Sequence, residues 1–314
     1  MTETDESRLS ERDRRRLAAF AEATDLETLV QLTGAHSIDD AYFAAKAEWT
    51  DLRRRALDPP EPIDGFPGRA VEIDGHQFVV HGITHAGTDA EREYLRSIVP
   101  GLVADGAAVY CEQGIRTMYF EDVGGVCEMD DLRWAMDRAD EYGGDGNLRG
   151  APAMVADVAE SATDALDDLR DRSFSSIDSA RRLYGDRFAR ALGDVATSFL
   201  TGPTDRSTGV DFESFVRSNR AAADPVHLGN LQYYYETRLL PQPLERAWLA
   251  GHDPELSVLT HGRNERMAAY VVSHNRDADR VHAIVGAAHQ PGLLYCLRSI
   301  RDGRLSIDDF DLVD

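Results

Sequence analysis

Two stretches far apart in the chain follow one scheme: a short apolar run, a glycine, a histidine three residues on, then a helix-like segment. The first begins at His76, HQFVVHGITHAGTDAEREYLRSIV, and carries Gly82 and His85. The second begins at Arg280, RVHAIVGAAHQPGLLYCLRSI, and carries Gly286 and His289. After the first unit comes another β-prone run, AAVYCEQ, so the order there is strand, loop, helix, strand. Parallel neighbours need such a crossover between them, whereas antiparallel ones can be joined by a hairpin. The expected class is therefore α/β: a mixed or parallel sheet core with flanking helices, and a large helical section, about residues 130–250, between the two strand units.

The remaining segments fit around that core. Residues 1–65 form an N-terminal helical segment. SERDRRRLAAFAEAT opens with a Ser10 cap, and IDDAYFAAKAEWTDLRRRAL spaces its apolar positions at three and four. The Pro/Gly-rich DPPEPIDGFPG, residues 58–68, reads as a linker into one α/β domain over 66–314. Thr88 or Asp89 is the expected cap of the helix after His85. PAMVADVAESATDALDDLRDR and SIDSARRLYGDRFARALGDVATSFL show amphipathic spacing, and LTHGRNERMAAYVVSHN is one more helix before the second histidine strand. The aromatic-rich LQYYYETRLLPQPLERAWL reads as core packing or a protomer contact, so a homo-oligomer is possible.

Charge narrows the partners. With 34 basic against 56 acidic side chains, the net charge is −22. A phosphate backbone needs clustered Lys and Arg, so nucleic acid is not an expected partner, and neither is an anionic membrane. Lys46 is the only lysine, and abundant acid with arginine as almost the sole cation suggests a halophilic source. No run approaches the roughly 18 apolar residues of a membrane span. The start, MTETDESRLSERDRRR, lacks a signal-type apolar stretch, and three cysteines without a CxxC pair argue against a disulfide framework. A cytoplasmic location is expected.

Both corner histidines fall just past the carboxyl end of a strand, the edge where α/β sheets bind ligands. Glu112 ends the AAVYCEQ strand at the same edge, and a carboxylate there is costly unless paired. Arg116, four residues on, either pairs with Glu112 or leaves it to act as base or ligand while holding substrate itself. Arg263 and Arg266 share a helical face leading toward the His289 strand. The other histidines read as bystanders: His81 is expected to face away from His85, His261 to lie in a loop or behind the site, and His227, His252, His274 and His282 to be structural.

GITH, EQGIR, RNERMA and GAAHQPG, in that order over about residues 76–300, resemble the TraB/PrgY/GumN family, which is related to the Tiki metalloproteases and, more distantly, to erythromycin esterase-like and ChaN-like proteins. The resemblance implies a catalytic or metal-binding set of His85, Glu112 and His289, with Arg116, Arg263 and Asn264 binding substrate. Two departures stand out: Gly262 replaces the acid that often precedes the family's arginine, and no membrane-spanning tail is visible.

The leading expectation is a hydrolase of peptide, amide or ester bonds. His85, Glu112 and His289 would hold Mn, Co or Zn, with water and substrate at open positions and no organic cofactor. In a metal-free variant, as in the erythromycin esterase-like relatives, a histidine acts as base and Glu112 orients it. In a non-catalytic alternative, the crevice captures a small peptide or signalling molecule. A serine hydrolase is disfavoured because no Gly-x-Ser-x-Gly elbow is present.

Overall fold

The computed structural model describes residues 9–142, 213–275 and 278–307. Its helical start comprises α1 (Glu11–Glu22), α2 (Leu26–Thr33) and α3 (Ile38–Ala56). The Ser10 hydroxyl accepts from the Asp13 amide, and Asp25 and Ser37 cap the next two helices in the same way. Each cap satisfies an amide that has no partner within its helix. These helices do not stand apart. Phe20, Leu29, Tyr42 and Trp49 pack with Leu244 and Trp248 from later in the chain, and the Tyr42 and Trp248 rings stack at 4.2 Å.

The linker contains a hairpin, β1 (Pro62–Ile63) and β2 (Phe66–Pro67), turning at Asp64-Gly65 with φ of 52° and 82°. A second Asp-Gly pair, Asp74-Gly75 with φ of 51° and 86°, joins β3 (Arg69–Ile73) to β4 (His76–Ile83). Asp-Gly supplies the two left-handed residues that a tight hairpin turn requires.

After β4 come α4 (Asp89–Ala104), β5 (Ala108–Cys111), a π-helical turn over Arg116–Phe120, β6 (Val126–Glu128) and α5 (Asp131–Tyr142). Following residue 212 are α6 (Glu213–Ala223), α7 (Leu228–Arg238), α8 (Gln242–Ala250), α9 (Pro254–Ser257), a second π-helical turn over Val258–Gly262, α10 (Arg263–Ser273), β7 (Arg280–Gly286) and α11 (Gln290–Arg301). Thr88 is the cap of α4, and its hydroxyl accepts from the Glu91 amide.

The five-stranded sheet has the order β3-β4-β7-β5-β6. Only β3–β4 is antiparallel; β4–β7, β7–β5 and β5–β6 are parallel. The class is therefore mixed α/β, as the repeated strand units imply. Alternation divides the side chains between two faces. Ile83, Val109 and Ile284 pack toward α4 and α7, while Phe78, Val80, Ala283 and Val285 pack toward α10 and α11. With helices on both faces the middle strands are buried over most of their length, hence their near-continuous apolar runs.

The described parts of the helical section are helical, and the aromatic-rich stretch is core: Tyr234, Tyr235 and Trp248 are all buried. The two amphipathic stretches within residues 152–200, and most of the final RLSIDDFDLV, lie outside the described residues. Among the described residues no helix is long and apolar enough to cross a membrane.

Candidate functional site

Parallel pairing brings the carboxyl ends of β4, β5 and β7 to one edge, and each delivers a residue of interest just past its last pair. The two glycine corners lock against each other there. A Cβ on Gly82 would stand 2.8 Å from the Ala287 Cα, and the Ala287 amide donates to the Ile83 carbonyl at 2.8 Å. Only glycine lets these backbones approach so closely. Gly286 lies at the centre: a Cβ there would touch Glu112 Oε2 at 3.4 Å, His85 Cδ2 at 3.5 Å and His289 Cδ2 at 3.6 Å.

His85, Glu112 and His289 thus converge. His85 Nε2 is 3.3 Å from Glu112 Oε2, and His289 Nε2 is 3.6 Å from Glu112 Oε1. Glu112 is buried, and the Gly286 amide donates to its Oε2 at 2.7 Å. Its ion-pair partner is Arg263, whose guanidinium donates to Oε1 at 2.5 Å and contacts Asp131 at 2.6 Å. Asp131 also accepts from the Gln113 amide. One cation therefore joins two buried carboxylates.

The hydrogen-bond chain behind His289 sets its tautomer. Gln242 donates to the His261 carbonyl, Asn264 donates to Gln242 Oε1, and Asn264 Oδ1 is left facing His289 Nδ1 at 2.7 Å. Nδ1 therefore carries the hydrogen, and Nε2 of the neutral ring turns its lone pair toward the centre.

The local field separates the two histidines. For His85 burial opposes the charge, but Glu112 beside it more than offsets that and raises its pKa. Burial holds His289 neutral, down to about 3, with Glu112 opposing and Arg263 reinforcing. Burial works against the Glu112 charge too, yet Arg263 and His85 facing it keep its carboxyl well below the usual range. Asp131, completely buried and facing Glu112, is pushed up to about 6 despite Arg263. The His85 side chain is 27% exposed against 3% for His289, so it is the member of the pair that solvent reaches.

The three expected substrate-binding residues take different positions. Arg263, 3% exposed and engaged by two carboxylates, secures Glu112 instead of presenting a guanidinium to a ligand. Asn264 is fully buried and orients His289. Arg116 does not pair with Glu112, because the π-helical turn begins at Arg116 and its side chain is exposed. Arg266 pairs with Asp130 at 2.5 Å. His261 lies inside the second π-helical turn and is buried, not in an open loop.

Asp131, Gln242 and Glu91 went unnoticed in the sequence. For Asp131 the available signal was the paired acids Asp130-Asp131 right after a β-prone segment. They match Arg263 and Arg266 three apart on α10, so two acids face two guanidiniums.

No family model, curated protein or solved structure matches this chain. The family resemblance therefore rests on the motifs alone.

Proposed function

We propose that the chain is a hydrolase of ester or amide bonds in which His85 is the acid–base group and Glu112 its orienting partner. The observation that carries this reading is the solvent-reached imidazole held 3.3 Å from a buried, anionic carboxylate. With Nε2 turned to Glu112, the hydrogen sits on Nε2 and the Nδ1 lone pair is available to a water. Nδ1 takes the proton as that water attacks the carbonyl carbon, and Glu112 stabilises the imidazolium that forms. The same proton then passes to the leaving oxygen or nitrogen as the carbon–heteroatom bond breaks. His289 Nε2 faces the same carboxylate, 3.6 Å from Oε1.

A divalent ion is the second reading, and one observation favours it. Donors sharing a tetrahedral ion at about 2.1 Å stand roughly 3.4 Å apart, close to the 3.3 and 3.6 Å between the histidines and Glu112. His85, Glu112 and His289 would hold the ion, which would polarise a carbonyl and acidify bound water. Against it, both Glu112 oxygens already accept hydrogen bonds and a guanidinium neutralises the carboxylate. Among the described residues no three His, Cys, Asp or Glu side chains form a group that could hold a metal ion. The metal-free route is the one put forward.

The test is turnover of peptide and aryl-ester libraries read by mass spectrometry, with and without chelator. Products exceeding the protein concentration, unaffected by chelator and reduced at least ~100-fold in His85→Ala and Glu112→Gln, are the expected result. Chelator-sensitive turnover restored by Mn, Co or Zn selects the metal reading. Ligand depletion limited to one equivalent, without products, selects capture and overturns hydrolysis.

A further inference from the structure

The histidine corner is held from beneath by a carboxylate that the acid–base reading does not use. Glu91, in the first turn of α4, is completely buried. Its Oε1 accepts from the Thr84 amide and the Thr84 hydroxyl, each at 2.8 Å. Its Oε2 accepts from the Ala86 amide at 3.3 Å and from the Tyr119 hydroxyl. That hydroxyl in turn accepts from the Gly87 amide at 2.8 Å. Thr84 Oγ1 completes the ring by accepting from Ala86 at 3.2 Å.

The arrangement is specific to the residue it surrounds. His85 has φ of 60°, a left-handed conformation that is uncommon for a residue other than glycine. Such strain persists only where neighbouring contacts over-determine it. Here the carboxylate holds the amides on both sides, Thr84 and Ala86, and reaches Gly87 through Tyr119. A helix needs a first-turn acid only near its amide terminus, which an exposed side chain supplies equally well. Complete burial beneath the corner goes beyond that need.

We infer that Glu91 is a positioning residue: its carboxylate, with the Tyr119 hydroxyl, fixes the left-handed backbone at His85 and so aims the imidazole at Glu112. The inference builds on the proposed role of His85, but the aim of the ring is measurable without any substrate. The same field adds to it, since Glu91 is a second anion favouring the His85 imidazolium after Glu112.

Glu91→Gln keeps the size of the side chain and replaces one acceptor oxygen with a donor facing the Ala86 amide and Tyr119. The decisive readout is the ring Cε1–H resonance of His85 in a two-dimensional carbon–proton spectrum of the full chain, assigned by its loss in His85→Ala. The expected result is a displaced or broadened His85 signal in Glu91→Gln while the signals of His76 and His252 stay in place. A smaller displacement is expected in Tyr119→Phe, which keeps the carboxylate, and Glu91→Asp is expected to stand nearer the wild type than Glu91→Gln. On the substrate found for the wild type, kcat is expected to fall about ten- to a hundredfold with KM little changed, as for a misaimed catalytic group. A folded Glu91→Gln with an unmoved His85 signal overturns the inference; if that variant does not fold, an unmoved signal in Tyr119→Phe does so. A displaced signal in a protein without turnover leaves the positioning role standing and removes the hydrolase reading instead.

Discussion

Replacing Arg263 with methionine tests the electrostatic centre of the site. The side chain is 3% exposed, between Glu112 at 5% and Asp131 at 0%. Methionine keeps apolar bulk but leaves two carboxylates in the interior with no shared cation. Breaking a buried ion pair from one side costs about 3–5 kcal/mol, a large part of the ~5–15 kcal/mol that holds a domain folded. The loss depends on pH, and its sign follows from the carboxyls. Asp131 already titrates at about 6 with the guanidinium in place. Without Arg263 the Asp131 value rises further above the ~4 of the unfolded chain, and Glu112 loses a cation that keeps its carboxyl below the usual range. A carboxyl raised in this way favours the folded state below its unfolded pKa, and that advantage disappears as pH rises through the folded value. The deficit of Arg263→Met is therefore smaller near pH ~5, where the Asp131 part falls away, than near pH ~8. Urea denaturation followed by circular dichroism at the two pH values measures it. The expected deficit is about 3–5 kcal/mol at the higher pH and at least ~1 kcal/mol less at the lower. Adding Asp131→Asn to the variant recovers part of it. A variant within ~1 kcal/mol of wild type at both pH values would falsify the claim that this guanidinium is what makes the buried acids tolerable.

Other perturbations separate folding from function. Gly286→Ala places a methyl group in ordinary contact with Glu112, His85 and His289; urea midpoints are expected to stay near wild type while hydrolysis drops at least ~100-fold, and full activity would refute the centre assigned here. Gly292→Ala drives a Cβ into Asn264 and to within 2.5 Å of Gln242 Oε1, so a thermal melt is expected to show ~1–3 kcal/mol of destabilisation. Acid is expected to unfold the chain early. Burial holds His81 and His289 down to about 3 and His261 and His282 to about 4. Each binds a proton in the unfolded chain below pH ~6.5 but not in the folded one, so stability falls by up to ~1.4 kcal/mol per pH unit per histidine. A urea midpoint unchanged between pH ~7 and ~5 contradicts this.

What the sequence disclosed followed from local pattern. His85, Glu112 and His289 were legible because each ends a strand, and parallel strands carry their ends to one edge. The antiparallel β3 was not foreseen, although Asp74-Gly75 marks its turn. The reading of Arg116 beside Glu112 failed for a geometric reason. Four residues are neighbours on an α-helix, but a tight turn and a π-helical turn follow Glu112 and leave Arg116 at the surface. The partner of Glu112, Arg263, is 151 residues away, a separation that no local spacing encodes. Glu91 was hidden by an ordinary role, since acids in a first helical turn need no further reason. His81, expected to face away from His85, is stacked on Phe66 and bonded to His282 at 2.8 Å.

Strand β7 follows β4 and β5 in the sequence, yet it lies between them in the sheet. Until it emerges from the ribosome, those two strands have no bridge, and the amide that grips Glu112 does not exist. Strand β7 therefore acts as a keystone: long-range pairing of this kind is slow, and the waiting strand edges are open to wrong partners. A chain cut short before Arg280 would keep only the β3–β4 and β5–β6 pairs, with nothing to join them and no His289.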